Sequence, residues 1–275
     1  MLMIAKLKGK IRALLLSNPS KANYKSVLKS YSGLFDGSVS SQILETKCFT
    51  DILQPIVMDC PVAKRVLVVA PHLDDDIFGA GGVLLQLAGR SSEITIVYVT
   101  STDETDGTKE KIASEAMEIS TELGSTPFFL QGTVGAIAGD EDLNRQLSEV
   151  LLATQPDLIF TTFLLDDNAD HRNVNQLLAR SLRETGLRPE IWSYQIYSTV
   201  IPNVVINITG EMNEKERLMR MWKSVPGNRD WAHYIRGMNA MTCRFIPGRE
   251  KVYGEAFFVV PAIEYLDLCR RYFRI

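Results

Sequence analysis

The chain has 275 residues, 45% hydrophobic and 23% charged, which supplies a full apolar core and excludes intrinsic disorder as the default. A net charge of −3 and a sequence pI near 5.7 give no chain-wide basic field, so nucleic acid is not an expected partner. Four cysteines (Cys48, Cys60, Cys243 and Cys269) stand far apart without a CxxC pair, which argues against a disulfide framework or cysteine zinc site and for a cytoplasmic setting.

In chain order, the opening MLMIAKLKGKIRALLLSNPSKA reads as a helix, with Ile4, Leu7, Ile11 and Leu14 on one face and Lys6, Lys8, Lys10 and Arg12 elsewhere. Residues 1–16 are thus a candidate for peripheral membrane contact, or for simple docking on a protein surface. The apolar ALLL is shorter than the roughly 7 to 15 residues of a signal core, and no stretch approaches the roughly 20 that a span needs. A second short helix is predicted over 24–35, followed by an irregular stretch to Pro61. Residues 1–60 read as a helical leader and 61–275 as the main domain.

Short β-branched runs then recur at 65–70, 93–100, 126–131 and 157–163, read as strands buried on both faces. Helices are predicted between them over 76–88, 109–123 and 141–154, with Gly89 and Gly124 as stops. Further on, a helix is expected over 175–184, strands over 190–197 and 204–208, helices over 211–223 and 230–242, and a closing strand over 253–260. The alternation predicts an α/β, Rossmann-like fold: a mostly parallel sheet with helices on both faces and ligands at the carboxyl ends of its strands.

PHLDDDIFGAGG follows the first buried strand and crowds His72, Asp74, Asp75 and Asp76 into one turn. Carboxylates so close raise one another's pKa unless a cation or hydrogen bonds compensate. Helix capping accounts for one or two of them but not for the adjacent histidine. His171, in LLDDNADHRN, follows the strand at 157–163 and opens on the same sheet edge. Two histidines and a carboxylate from separate loops make a three-ligand metal site with one position left for water.

These two motifs, with YGEAF at 253–257, resemble those of the PIG-L/LmbE-type deacetylases, zinc enzymes acting on N-acetylglucosaminyl substrates. APHLDDDIFGAGG is similar to the family's AHPDDE and NADH (168–171) to its HPDH, and the likeness runs from about Lys64 to Phe257. The resemblance implies that His72, Asp75 and His171 ligate zinc and that Asp74 is the general base toward the zinc-bound water. Asp170, next to His171, is expected to hold that imidazole in its tautomer. Fe²⁺ suits the same donors. Substrates implied are small-molecule or lipid-linked amino sugars, with Thr102, Asp103, Asp106 and Glu115 as candidate sugar contacts.

The chain departs from the family at Leu73 (for Pro), Asp76 (for Glu), Ile112 (for Arg) and, most seriously, Asn168, which replaces the histidine that stabilises the oxyanion. An amide donates a hydrogen bond there but supplies no proton or positive charge. His233 is a candidate substitute, although a lone histidine among aromatics is more often packed. Two other classes compete: a metal- or carbohydrate-binding member of the same fold without turnover, and a nucleotide- or S-adenosylmethionine-dependent Rossmann enzyme. Against the latter, GAGG comes a helical turn too late to cradle phosphate. Metal content separates it from the others, and amine release separates enzyme from binding protein.

Overall fold

A computed structural model describes residues 45–46, 55–101, 108–224, 229–248 and 251–274. All belong to one compact unit, Ile43–Ile275. The expected leader helices over 1–16 and 24–35, and the sugar-contact candidates Thr102, Asp103 and Asp106, lie outside the described residues.

Strands β1 (Ile56–Met58) and β2 (Arg65–Ala70) lead to helix α1 (Asp75–Gly89), followed by β3 (Glu93–Ser101), α2 (Thr108–Leu123), β4 (Ser125–Thr133), α3 (Glu141–Thr154), β5 (Leu158–Thr162) and α4 (Ala169–Thr185). The chain continues through β6 (Glu190–Tyr194), β7 (Val204–Asn207), α5 (Met212–Met219), α6 (Trp231–Met241), a 3₁₀ turn (Thr242–Phe245), β8 (Gly254–Pro261) and α7 (Ala262–Phe273). They form one sheet in the order β1-β7-β8-β6-β5-β2-β3-β4, parallel except for β8, which runs against β6 and β7. Among the described residues no helix is long and apolar enough to cross a membrane.

The central strands are the apolar runs of the sequence. Residues 66–70 of β2 and all of β5 are buried, because helices cover both faces. Each fully buried Val, Leu or Ile there contributes about 1.5–3 kcal/mol. β4 differs from the expectation of two buried faces: it is the sheet edge, Phe128 is 42% exposed, and Pro127 sits where an edge tolerates a missing N–H. Two elements were not expected. Ile56–Met58, inside the segment read as leader, pairs with β7, and α7 follows β8 without a break.

From β2 the chain winds to β3 and β4 on one side, then crosses back to β5 and β6 on the other. The switch point therefore lies between β2 and β5, where a doubly wound sheet opens a crevice at its carboxyl end. The GAGG of α1 serves packing: a Cβ on Gly79 would stand 2.0 Å from Tyr194 Cδ2, and one on Gly82 2.7 Å from Ile208 Cβ. Over this face lies a fully buried ion pair. Lys215 Nζ meets Glu255 Oε1 at 2.7 Å and donates to the Phe78 carbonyl at 2.9 Å, while Glu255 accepts from the amides of Gly82 (2.7 Å) and Val83 (2.9 Å). Phe78 and Gly82 stand four residues apart, the spacing of one rung of a helix ladder, so the pair reaches into the backbone of α1 just past its charged first turn.

Candidate metal and catalytic site

The turn after β2 and the first turn of α4 meet at the switch point. His72 Nδ1 lies 3.1 Å from Asp75 Oδ2, His171 Nε2 lies 3.2 Å from the same oxygen, and the two ring nitrogens are 3.3 Å apart. Donors around a tetrahedral zinc at about 2.0–2.1 Å stand roughly 3.3–3.4 Å from one another. A triangle with sides of 3.1–3.3 Å is that spacing, so the residues fit a small divalent cation. Asp75 and His171 are buried and His72 reaches the surface, which leaves one side open.

Each imidazole is held from behind. His72 Nε2 faces Asp170 Oδ2 at 3.3 Å, and Asp170 is fixed by the Gly135 amide at 2.9 Å. His171 Nδ1 faces Asp166 Oδ1 at 3.1 Å, and Asp166 also accepts from the amides of Asn168, Tyr197 and Ser198. Carboxylates placed so fix tautomer and ring orientation. The structure thus gives the two acids crossed roles: Asp170, in the first turn of α4, faces His72 rather than its chain neighbour His171, which is faced by Asp166. The sequence carried a signal for Asp166 in the Asp pair of LLDDNADHRN. Tyr197, also missed, stacks on the His171 ring at 5.1 Å.

His171 lies in the first turn of α4, not in a loop before it, because the helix begins at Ala169. Thr162 Oγ1 and Asn175 Nδ2 both donate to its carbonyl at 2.8 Å, and Tyr265 of α7 donates to Asn175. Asn168 is the N-cap of this helix, its Oδ1 accepting from the Asp170 amide at 2.8 Å. The Glu115 carboxylate accepts from the Lys223 and Ser224 amides and the Ser224 hydroxyl, because α2 runs alongside that loop. His233 is exposed on α6 rather than packed.

Electrostatics follow from the same geometry. Burial works to lower the His72 and His171 pKa values, but Asp75, Asp170 and Asp166 outweigh it and raise them to about 10 and about 9. Burial pushes Asp75 up, yet the two histidines hold it well below the usual carboxylate range. Asp74 is raised to about 7, by burial first and by Asp75 second. Its side chain makes no cap hydrogen bond to α1. Asp76, pushed to about 7 by burial, receives the Tyr98 hydroxyl at 3.0 Å.

Residues 67–182 match the family model PIG-L, GlcNAc-PI de-N-acetylase. No curated protein sequence matches the chain significantly. Among solved structures, the N,N'-diacetylchitobiose deacetylase of Pyrococcus horikoshii with its inhibitor aligns at TM-score 0.63 and 22% identity, covering 84% of this chain and 94% of that one. The 4-carboxy-2-hydroxymuconate hydratase GalB of Pseudomonas putida aligns at 0.60 and 19%, covering 71% and 96%. The A40926 pseudoaglycone deacetylase Dbv21 aligns at 0.55 and 16%, covering 72% and 97%. At these identities the likeness is one of fold, and the hydratase among them shows that this fold hosts more than one chemistry.

Proposed function

We propose, with the PIG-L domain over residues 67–182 as premise, that the chain is a metal-dependent N-deacetylase of an amino sugar or glycoconjugate. The observation that carries this is the His72–Asp75–His171 triangle at the sheet's switch point. Held by those three side chains, a divalent cation, zinc or Fe²⁺ by donor type, supplies Lewis acidity and a water of lowered pKa. Asp74 accepts the proton of the attacking water and returns it to the leaving nitrogen. Asn168 donates its amide N–H to the oxygen of the scissile carbonyl as charge develops there. Asp166 and Asp170 keep the two rings in the tautomers that present Nε2 of His171 and Nδ1 of His72 inward.

Amine release from N-acetylglucosamine derivatives tests the reading directly, with chelation expected to abolish it. Asp74→Ala should remove turnover while the bound metal is retained; unchanged turnover would defeat the base assignment. One observation favours a second reading, a binding protein without turnover: Asn168, which caps α4 through Oδ1, supplies no proton or positive charge to a developing oxyanion. Metal uptake without amine release from any N-acetylated sugar would select it.

A further inference from the structure

The ring of His171 is held by a part of the chain that the family model does not reach. Residues 195–203 join β6 to β7 as a strap beside the site, and Tyr197 of the strap and Tyr234 of α6 both lie beyond the matched segment 67–182. The Tyr197 ring lies on the His171 ring with centroids 5.1 Å apart and planes 19° from parallel. The amide of the same residue donates to Asp166 Oδ2 at 3.1 Å and that of Ser198 at 3.3 Å, while Asp166 Oδ1 faces His171 Nδ1. The strap thus holds the imidazole by its face and also holds the carboxylate behind it.

An imidazole turns about two side-chain torsions, and one hydrogen bond at Nδ1 does not fix both. A ring laid against its face stops the tilt that would carry Nε2 off Asp75 Oδ2 and His72 Nδ1, its neighbours at 3.2 and 3.3 Å. The strap is itself tied down. Tyr234 donates its hydroxyl to the Ile196 carbonyl at 3.1 Å, Ser198 Oγ accepts from the Asp167 amide at 2.8 Å, and the buried Gln195 accepts from the Val200 amide at 3.1 Å. Trp231, at the start of α6, meets the Tyr197 ring edge-on at 5.6 Å. Neither tyrosine is a core residue: each is 37% exposed, so a smaller side chain there opens space to solvent rather than a sealed cavity.

We propose that Tyr197 is a positioning residue for the metal ligand His171, and that Tyr234 ties the strap carrying it to α6. The proposal rests on the metal reading of the triangle and not on the choice of substrate. The test measures zinc affinity of the full-length protein by chelator competition, and the visible absorption of its cobalt(II) form, whose bands report ligand geometry. Tyr197→Leu removes the ring and should weaken zinc binding at least roughly tenfold and change the cobalt spectrum. Tyr197→Phe keeps the ring and should match the wild type in both. Tyr234→Phe deletes only the hydroxyl on the strap and should weaken zinc binding roughly three- to tenfold. Added to Tyr197→Leu, the same change should cost less than about twofold more, because both act through one ring. Thermal unfolding of the ion-free forms checks that each variant is folded; if Tyr197→Leu is not, Tyr234→Phe carries the test. A folded Tyr197→Leu or Tyr234→Phe with the affinity and cobalt spectrum of the wild type would overturn the proposal, as would a loss in Tyr197→Phe as large as in Tyr197→Leu. A wild type that takes up no zinc would remove the metal reading as well, whereas zinc bound equally by wild type and Tyr197→Leu removes this inference alone.

Discussion

At the scale of single residues, the site is a set of acids that make sense only around positive charge. In the ion-free protein that charge is protons on His72 and His171, held there to about pH 10 and pH 9 by Asp75, Asp170 and Asp166. These raised values stabilise the ion-free fold fully below the ordinary histidine pKa, and the contribution is lost as pH climbs through 9 and 10. A cation must displace the same protons. Metal uptake at neutral pH should therefore release about two protons, and affinity should rise by up to about a hundredfold per pH unit between pH 6 and 8. Calorimetry in buffers of different ionisation enthalpy measures that release; a pH-independent affinity would contradict the geometry. Asp166 is the least obvious of these acids. Asp166→Asn keeps its shape but not its charge, and should weaken metal binding by about 10–100-fold in a chelator competition.

Among elements, α1 decides how well the triangle is held, since it carries Asp75 in its first turn and rests on the Lys215–Glu255 pair from its second. Breaking a buried pair leaves one uncompensated charge and costs about 3–5 kcal/mol. Lys215→Met should lower the thermal midpoint accordingly. Lys215→Met/Glu255→Met should be less destabilised than the single variant, because no lone charge remains. Thermal unfolding of the two variants checks the order; a double variant worse than the single would show that the pair contributes more than its charges.

Across the whole molecule, the alternating pattern was legible because central strands covered on both faces read as unbroken apolar runs. β2, β5, α2 and α3 fall within a residue or two of their expected ends. The exceptions have causes: β4 is an edge, and β1 is three exposed residues with no pattern to read. The start of α4 was hidden because NADH is polar, although Asn168 is a good N-cap by type. The ligand triangle was readable from histidine placement and from the family motifs. Its support was less so: Tyr197 and Lys215 act across the fold at distances in sequence that no spacing rule reveals, whereas Asp166 and Glu255 stood inside the quoted motifs without a partner to assign them.

Metal content is the most direct measurement of whether one cation is gripped between β2 and β5. Protein stripped by chelator, reloaded with zinc and desalted should retain one ion per chain, and His72→Ala treated identically should retain none. Equal zinc in the two samples, or none in the wild type, would contradict the account.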